Sequence, residues 1–465
     1  MARVVITGVG PVTPAGVGKE ELWHSIENEV SPAGGMRSLG IPQYAHLQGA
    51  EVTGFSFANH FQRYLDTGKI QRRLFDRITN ECDRAIQFAV VGTKLAVEDA
   101  GLDYAGDNSI GVFLGNADGC VQLYERQIEL TIQKVVRRIC ESLTVSLKPF
   151  GVFKASPLFK EYAALCQKER LQEFILLLHE RFGTIHDLAP TRTIDFRSYS
   201  IPARVCSCFG FHGPSFAINT ACASGLDAVG QAYIQIRQGL CDVAVCGGSE
   251  APGSLEVVTA LDNLGVISRT TMRPYDEDRD GFAIGEGAGI LILENLEHAS
   301  KRGAHIYAEI GGYCQSHDAN RNIVMINEDG RFLRRAIEGA LSESGVDKES
   351  VAYINSHGTA TKDCDRVETA VFKQVFGDDA YKVNVSSTKP VTGHSFGAVG
   401  GIEAIITALA MNNSLVPPTL NLENPSAECD LNYTPRHAVD RKIPAALITS
   451  MGFGGYNSAL VLKEL

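Results

Sequence analysis

Apolar residues along this chain fall into short continuous runs that alternate with helically spaced sets. Val4–Ile6 and Ile110–Leu114 have the length of buried strands, and between them lie a helix near Lys19–Ile26 and a long amphipathic one from about Asp83 to Asp99. The best-defined unit follows. Phe216–Ile218 reads as a buried strand that breaks at Asn219–Thr220 into Ala221–Cys222–Ala223. Leu226, Val229, Ala232, Tyr233 and Ile236 then recur at helical steps, Gly239 stops the helix, and Val243 and Val245 alternate as the next strand. Alternation of this kind predicts an α/β layered fold.

A second strand and helix series begins at Ile306–Ile310, after the apolar strand Ala288–Leu293. It continues through a helix from about Gly330 to Ser344 and short strands at Val351–Ile354, Val383–Ser387 and Leu447–Thr449. The second half repeats the logic of the first, although residue identities alone are too weak to define a repeat. We expect two similar halves, 1–255 and 256–465. Between about 123 and 196 the pattern changes to two charge-dense amphipathic stretches joined by a Pro and Gly loop, which predicts a helical insertion.

Composition narrows the function classes. A chain of 465 residues with net charge −11 has length for a large core and little affinity for nucleic acid. No apolar run approaches the roughly 20 residues of a membrane span, and the apolar part of the N-terminus is too short for a secretory signal, so a cytoplasmic protein is expected. The twelve cysteines are scattered without a Cys-x-x-Cys pair, so neither a disulfide framework nor a zinc knuckle is expected.

Candidate chemistry concentrates at three places. Cys222 stands among small neighbours at a helix N-terminus, where unpaired N–H groups and the helix dipole would draw its pKa from about 8.5 toward neutrality. Cys206, Cys208, Cys241, Cys246 and Cys314 read as core filler. His357 and His394 each follow a short strand amid small residues, the position where α/β sheets bind ligands. Gly452, Gly454 and Gly455 permit backbone conformations that aim N–H groups into a cavity. Asp276, Arg279, Asp280 and Glu286 read as a paired structural network. Lys69, Arg72, Arg73 and Arg77 read first as a solvated helix face and second as a docking patch for an acidic partner.

The motifs TACASG, RDGFxxGEGAG, NSHGTAT, SSTKPVTGHSFGAVGG and GFGGYNSA together resemble the elongating β-ketoacyl-acyl-carrier-protein synthases of type II fatty-acid and polyketide systems. The resemblance covers residues 1–120 and 197–465. It implies a thiolase fold of five αβαβα layers, working as a homodimer or as a heterodimer with a ketosynthase-like subunit. It implies no cofactor beyond the phosphopantetheine of an acyl carrier protein, and no metal.

Residue by residue, the resemblance makes Cys222 the nucleophile, with His357 and His394 as N–H donors to the enolate. Lys389 gives electrostatic support with Glu403, and Phe453 is a gate whose N–H joins the oxyanion hole. Thr359 and Thr361 hold the phosphopantetheine arm. Lys69, Arg72, Arg73 and Arg77 meet the carrier. Asp118 stands where relatives have an apolar residue near the acyl pocket, and it counts against a simple saturated chain. Asn457, in the tail Gly454–Asn457, and the segment HDANRNIVMINEDG depart from ordinary fatty-acid enzymes. A non-elongating chain-length-factor-like subunit, a degradative thiolase and a zinc protein are the competing readings.

Overall fold

The computed structural model describes residues 2–36, 44–104, 109–120, 122, 197–322 and 324–465. The insertion expected over 123–196 lies outside the described residues. Met1–Val121 and Asp195–Leu465 form one compact unit.

Ten strands make its continuous sheet path: β1 (Val4–Thr13), β2 (Gly111–Gly115), β3 (Ser215–Ile218), β4 (Val243–Glu250), β5 (Gly287–Asn295), β6 (Ala308–His317), β7 (Val351–Asn355), β8 (Asn384–Ser386), β9 (Ala445–Gly452) and β10 (Tyr456–Lys463). Two sets of five have the same order and sense. In the first, β2 lies parallel between β3 and β4, and β5 joins β4 to β1 by antiparallel pairing. In the second, β7 lies parallel between β8 and β9, and β10 joins β9 to β6 antiparallel. Val4–Ile6 pairs with Ala308–Ile310 and links the sets.

The first set therefore extends to Asn295, beyond the division expected at 255. Residues 287–295 lie hydrogen-bonded between β1 and β4, a long-range pairing that local periodicity does not encode. Most of these strands are buried along their whole length, as strands covered on both faces must be. The end of β6 is partly exposed, and β3 departs furthest from the pattern. Expected to be buried, it is the edge strand of the first set, and Phe216 is 51% exposed.

Helices supply the remaining layers. Ser224–Arg237 and Val399–Asn413 pack on each other and on strands of both sets. Val399–Asn413 is apolar nearly all round, as a helix with no solvent face must be. The two approach so closely that a Cβ on Gly400 would lie 2.3 Å from the Leu226 nitrogen. Arg84–Asp99 covers β1 and β5, and Arg331–Ser344 covers β6 and β10. The result is the five-layered thiolase-like arrangement. Among the described residues no helix is long and apolar enough to cross a membrane.

Candidate active site

The nucleophile elbow is built by local hydrogen bonds. After β3, Ala221 adopts φ 51°, a left-handed conformation that costs a non-glycine residue about 1–2 kcal/mol. Neighbouring bonds hold it there: Ser224 Oγ donates to the Ala221 carbonyl at 2.6 Å and accepts from Thr220 N at 2.8 Å. Cys222 is thereby placed at the start of Ser224–Arg237, buried, with its carbonyl accepting from Ser450 Oγ at 3.2 Å. A Cβ on Gly452 would stand 2.6 Å from the Thr220 carbonyl, so the end of β9 seats directly against the elbow.

The helix N-terminus does not make Cys222 a resting thiolate. Burial pushes the thiol up to about 12, and the Asp118 carboxylate adds to the effect, while Lys389 and a hydrogen bond from the Phe453 N–H oppose it. Sequence reasoning weighed the dipole and could not see the packing. The apolar cluster holding Cys222 includes Leu261, Met272, Phe282 and Phe396, residues distant in sequence.

His357 and His394 come together as expected. Their rings lie 5.5 Å apart at 85°, both are buried, and neither Nδ1 has a hydrogen-bond partner among the described residues. Burial lowers both well below the usual histidine range; Lys389 lowers each further, and His394 adds to the effect at His357. Two neutral imidazoles therefore face one cavity of about 220 Å³. Its wall also includes Cys222, Thr359, Thr361 and Phe453.

The supporting residues divide. Lys389 and Glu403 form a fully buried pair at 2.6 Å, and the lysine also donates to the His357 carbonyl. Burial pushes the Glu403 carboxyl up to about 7 against the pull of Lys389. Glu403 stands behind the cavity rather than on its wall, so it supports Lys389 and does not touch substrate. Thr359 and Thr361 share a hydroxyl hydrogen bond of 2.9 Å on the cavity wall. Asn457 also lines the cavity, but its amide is engaged with Asp318 Oδ1 at 2.7 Å.

Asp118 follows β2 in a turn fixed on Glu250, which accepts from the Ala117 N–H at 2.6 Å. The Asp118 carboxyl is open to solvent and off the cavity wall, yet the atoms around it and the Glu256 carboxylate push it up to about 6. The basic cluster stands apart from the cavity. Lys69, Arg72 and Arg73 are exposed, Arg72 lies 3.9 Å from Asp76, and Arg77 lies 4.0 Å from Glu81. Arg279 and Asp365 approach at 3.5 Å and Arg84 meets Glu286 at 2.8 Å, the structural pairing expected of the acid-rich stretch. Among the described residues no group of three His, Cys, Asp or Glu is placed to hold a metal.

One organising residue escaped the sequence reading. Glu368 is fully buried in the helix Lys362–Phe376. Its Oε1 accepts from His357 N at 2.7 Å and Thr449 Oγ1 at 2.6 Å, and its Oε2 from Gly358 N at 3.0 Å and Tyr275 OH at 3.1 Å. A signal existed: Glu368 sits at helical spacing with Cys364, Val367 and Val371, so a carboxylate occupies the buried face.

With known families, residues 1–146 and 173–299 match the N-terminal domain of β-ketoacyl synthases, and residues 307–423 their C-terminal domain. The ketoacyl synthase alpha subunit of the tetracenomycin polyketide synthase of Streptomyces glaucescens is 34% identical over 474 residues, covering 99% of this chain and 97% of that protein. The 3-oxoacyl-[acyl-carrier-protein] synthase 2 of Staphylococcus aureus is 34% identical over 471 residues, covering 99% and 98%. Among solved structures, a type II polyketide ketosynthase bound to the hexaketide, in complex with its acyl-carrier protein, superposes with TM-score 0.79 at 27% identity over the whole of both chains. The ishigamide ketosynthase/chain length factor gives TM-score 0.79 at 28% identity, over 100% of this chain and 99% of that one.

Proposed function

The chain belongs to the β-ketoacyl synthase family of condensing acyltransferases, and we propose that it elongates acyl chains by decarboxylative condensation with malonyl-acyl carrier protein. The observation that carries this is a buried thiol sharing one cavity wall with two neutral histidines.

In the first half-reaction Cys222 attacks the acyl thioester of the carrier's phosphopantetheine. Its proton departs as the sulfur–carbon bond forms, and a neutral imidazole on the same wall can receive it and return it to the leaving pantetheine thiolate. In the second, a malonyl thioester loses carbon dioxide, and its enolate attacks the acyl carbon and expels the Cys222 thiolate. Decarboxylation removes no proton from carbon, so the enolate oxygen needs donors rather than a base, and His357 and His394 supply them. The N–H groups of Cys222 and Phe453 would hold the acyl oxyanion. One such donor is worth about 3 kcal/mol in the transition state.

Thr359 and Thr361 are assigned to the phosphopantetheine arm, and the exposed Lys69, Arg72 and Arg73, with Arg77, to the carrier. The working unit is read as a pair of ketosynthase-like subunits, either two copies of this chain or this chain with a related one, in the cytoplasm. The Asp118 carboxylate raises the Cys222 thiol from off the cavity wall, so it does not bear on whether the bound chain is saturated or polar. An intact Cys222, His357 and His394 set favours a catalytic subunit over a non-elongating partner.

Intact-protein mass spectrometry tests the proposal. Wild type and Cys222→Ala are incubated with carrier protein charged with chains of graded length and unsaturation, then given malonyl-carrier protein. An adduct on wild type alone, discharged into a β-ketoacyl product, is the expected result. No adduct from any chain, with or without a related subunit, overturns it.

A further inference from the structure

Asp227 is the one carboxylate in the helix Ser224–Arg237, which starts at the nucleophile elbow, and it is buried. Four side-chain donors meet it. Thr220 Oγ1 donates to its Oδ2 at 2.5 Å, and Gln315 Nε2 donates to the same oxygen at 2.7 Å. Tyr313 OH donates to Oδ1 at 2.8 Å, and Ser458 Oγ donates there too. A carboxylate offers about four lone-pair positions, so the group is saturated. Burial raises the Asp227 carboxyl, and the donors oppose that.

The donors come from both halves of the fold. Thr220 belongs to the elbow, two residues before Cys222. Tyr313 and Gln315 stand on β6 and Ser458 on β10, where Gln315 and Ser458 pair across the ladder. These strands belong to the second set, whereas the elbow follows a strand of the first. Tyr313 also presses on the helix, since a Cβ on Gly230 would lie 2.4 Å from its ring. None of these residues lines the cavity of Cys222, so Asp227 reaches the chemistry only through the elbow. There it fixes the residue that precedes Ala221, whose left-handed backbone persists only where its surroundings over-determine it.

We propose that Asp227 is a positioning residue for Cys222: by holding the Thr220 hydroxyl against β6 and β10, it keeps the elbow in place and the thiol on the cavity wall. The proposal rests on the reading of Cys222 as the acyl acceptor. A buried charge is a poor means of adding stability, because apolar residues of similar volume often serve as well. What a saturated carboxylate adds is direction. It orients four groups at once, and a reacting atom misplaced by about 1 Å can lose about a hundredfold in rate.

Two variants each remove one bond from this carboxylate: Thr220→Val the bond to the elbow, Tyr313→Phe a bond to β6. Intact-protein mass spectrometry follows acylation of Cys222 by acyl-carrier protein, and carbon dioxide release from malonyl-carrier protein follows the histidines. Thr220→Val is expected to slow acylation by about ten- to a hundredfold while decarboxylation stays within about twofold, and Tyr313→Phe to keep both near wild type. Thr220→Ser, which restores the hydroxyl, recovers acylation. Asp227→Asn, which turns one acceptor into a donor, is expected to match Thr220→Val. Equal slowing in Thr220→Val and Tyr313→Phe, or slowing in neither, overturns the proposal. Iodoacetamide labelling of Cys222 reads the elbow without any carrier. A loosened elbow exposes the thiol, so Thr220→Val should label faster than wild type and than Tyr313→Phe, and equal labelling in all three overturns the positioning role. A wild type that takes no acyl chain, with that labelling difference intact, overturns the synthase reading and leaves the positioning role standing.

Discussion

Lys389 Nζ lies 2.6 Å from Glu403 Oε1 with both side chains fully buried, and the same ammonium donates to the backbone carbonyl of His357. A structural ion pair and a catalytic loop are therefore one hydrogen-bonded unit. Removing one partner of such a pair leaves the other charge uncompensated in the interior, at a cost of about 3–5 kcal/mol. Lys389→Ala is expected to lose stability on that scale in urea denaturation. Glu403→Gln, which leaves an ammonium still bonded to the His357 carbonyl, is expected to lose less. Equal losses would show that the carbonyl contact contributes nothing.

His357 and His394 set the acid limit of the fold. Both are held below the usual histidine range, so they stay neutral in the native state while the unfolded chain protonates them below about pH 6.5. The unfolded state then binds more protons, and stability falls as pH drops, by about 1.4 kcal/mol per pH unit for each histidine. Asp118, near 6, and Asp365 and Glu403, near 7, act in the opposite direction between about pH 4 and 7, since the native state holds their protons longer. Replacing both histidines with asparagine should therefore reduce or reverse the loss of stability between pH 6.5 and 5. An unchanged slope would mean that neither is neutral in the native protein.

Cys222 should alkylate slowly at neutral pH. A thiol pushed up to about 12 supplies little thiolate at pH 7, so the iodoacetamide rate, read by mass spectrometry of the Cys222 peptide, should rise about tenfold per pH unit from 7 to 10 without a plateau. Asp118→Asn removes a charge that raises the thiol and should speed labelling. A plateau near pH 7 would show that the helix N-terminus outweighs burial after all.

Glu368 is expected to matter as much as the residues that face substrate. Glu368→Ala leaves the His357 and Gly358 N–H groups without their acceptor, each at about 1–3 kcal/mol if buried and unmet. Malonyl decarboxylation should fall along with stability, whereas Glu368→Gln, which keeps one oxygen acceptor, should recover part of both. Full activity in the alanine variant would show that the His357 loop holds itself.

The elbow, the two histidines and the alternating sheet could be read from sequence because each is a local pattern: an apolar run broken at Asn219, then helical spacing from Leu226 to Ile236. What escaped depends on neighbours far along the chain. The ionisation of Cys222 is decided by Phe282, Phe396 and Asp118, the exposure of β3 by its place at the edge of the path, and the extent of the first half by the pairing of β5 with β1. Glu368 lay between the two cases, since its buried helical register was visible but its bonds to His357 and Gly358 were not.

The pairing of Val4–Ile6 with Ala308–Ile310 has a kinetic meaning as well. A strand that completes its ladders only with residues some three hundred positions later has among the costliest loop closures in the chain, and contacts of such separation slow folding. During synthesis β1, buried along its whole length in the fold, must wait with one edge unpaired until β6 has been made. A nascent chain of this design is most exposed to aggregation over that interval, so its yield in a cell should respond to chaperone supply more than its final stability would indicate.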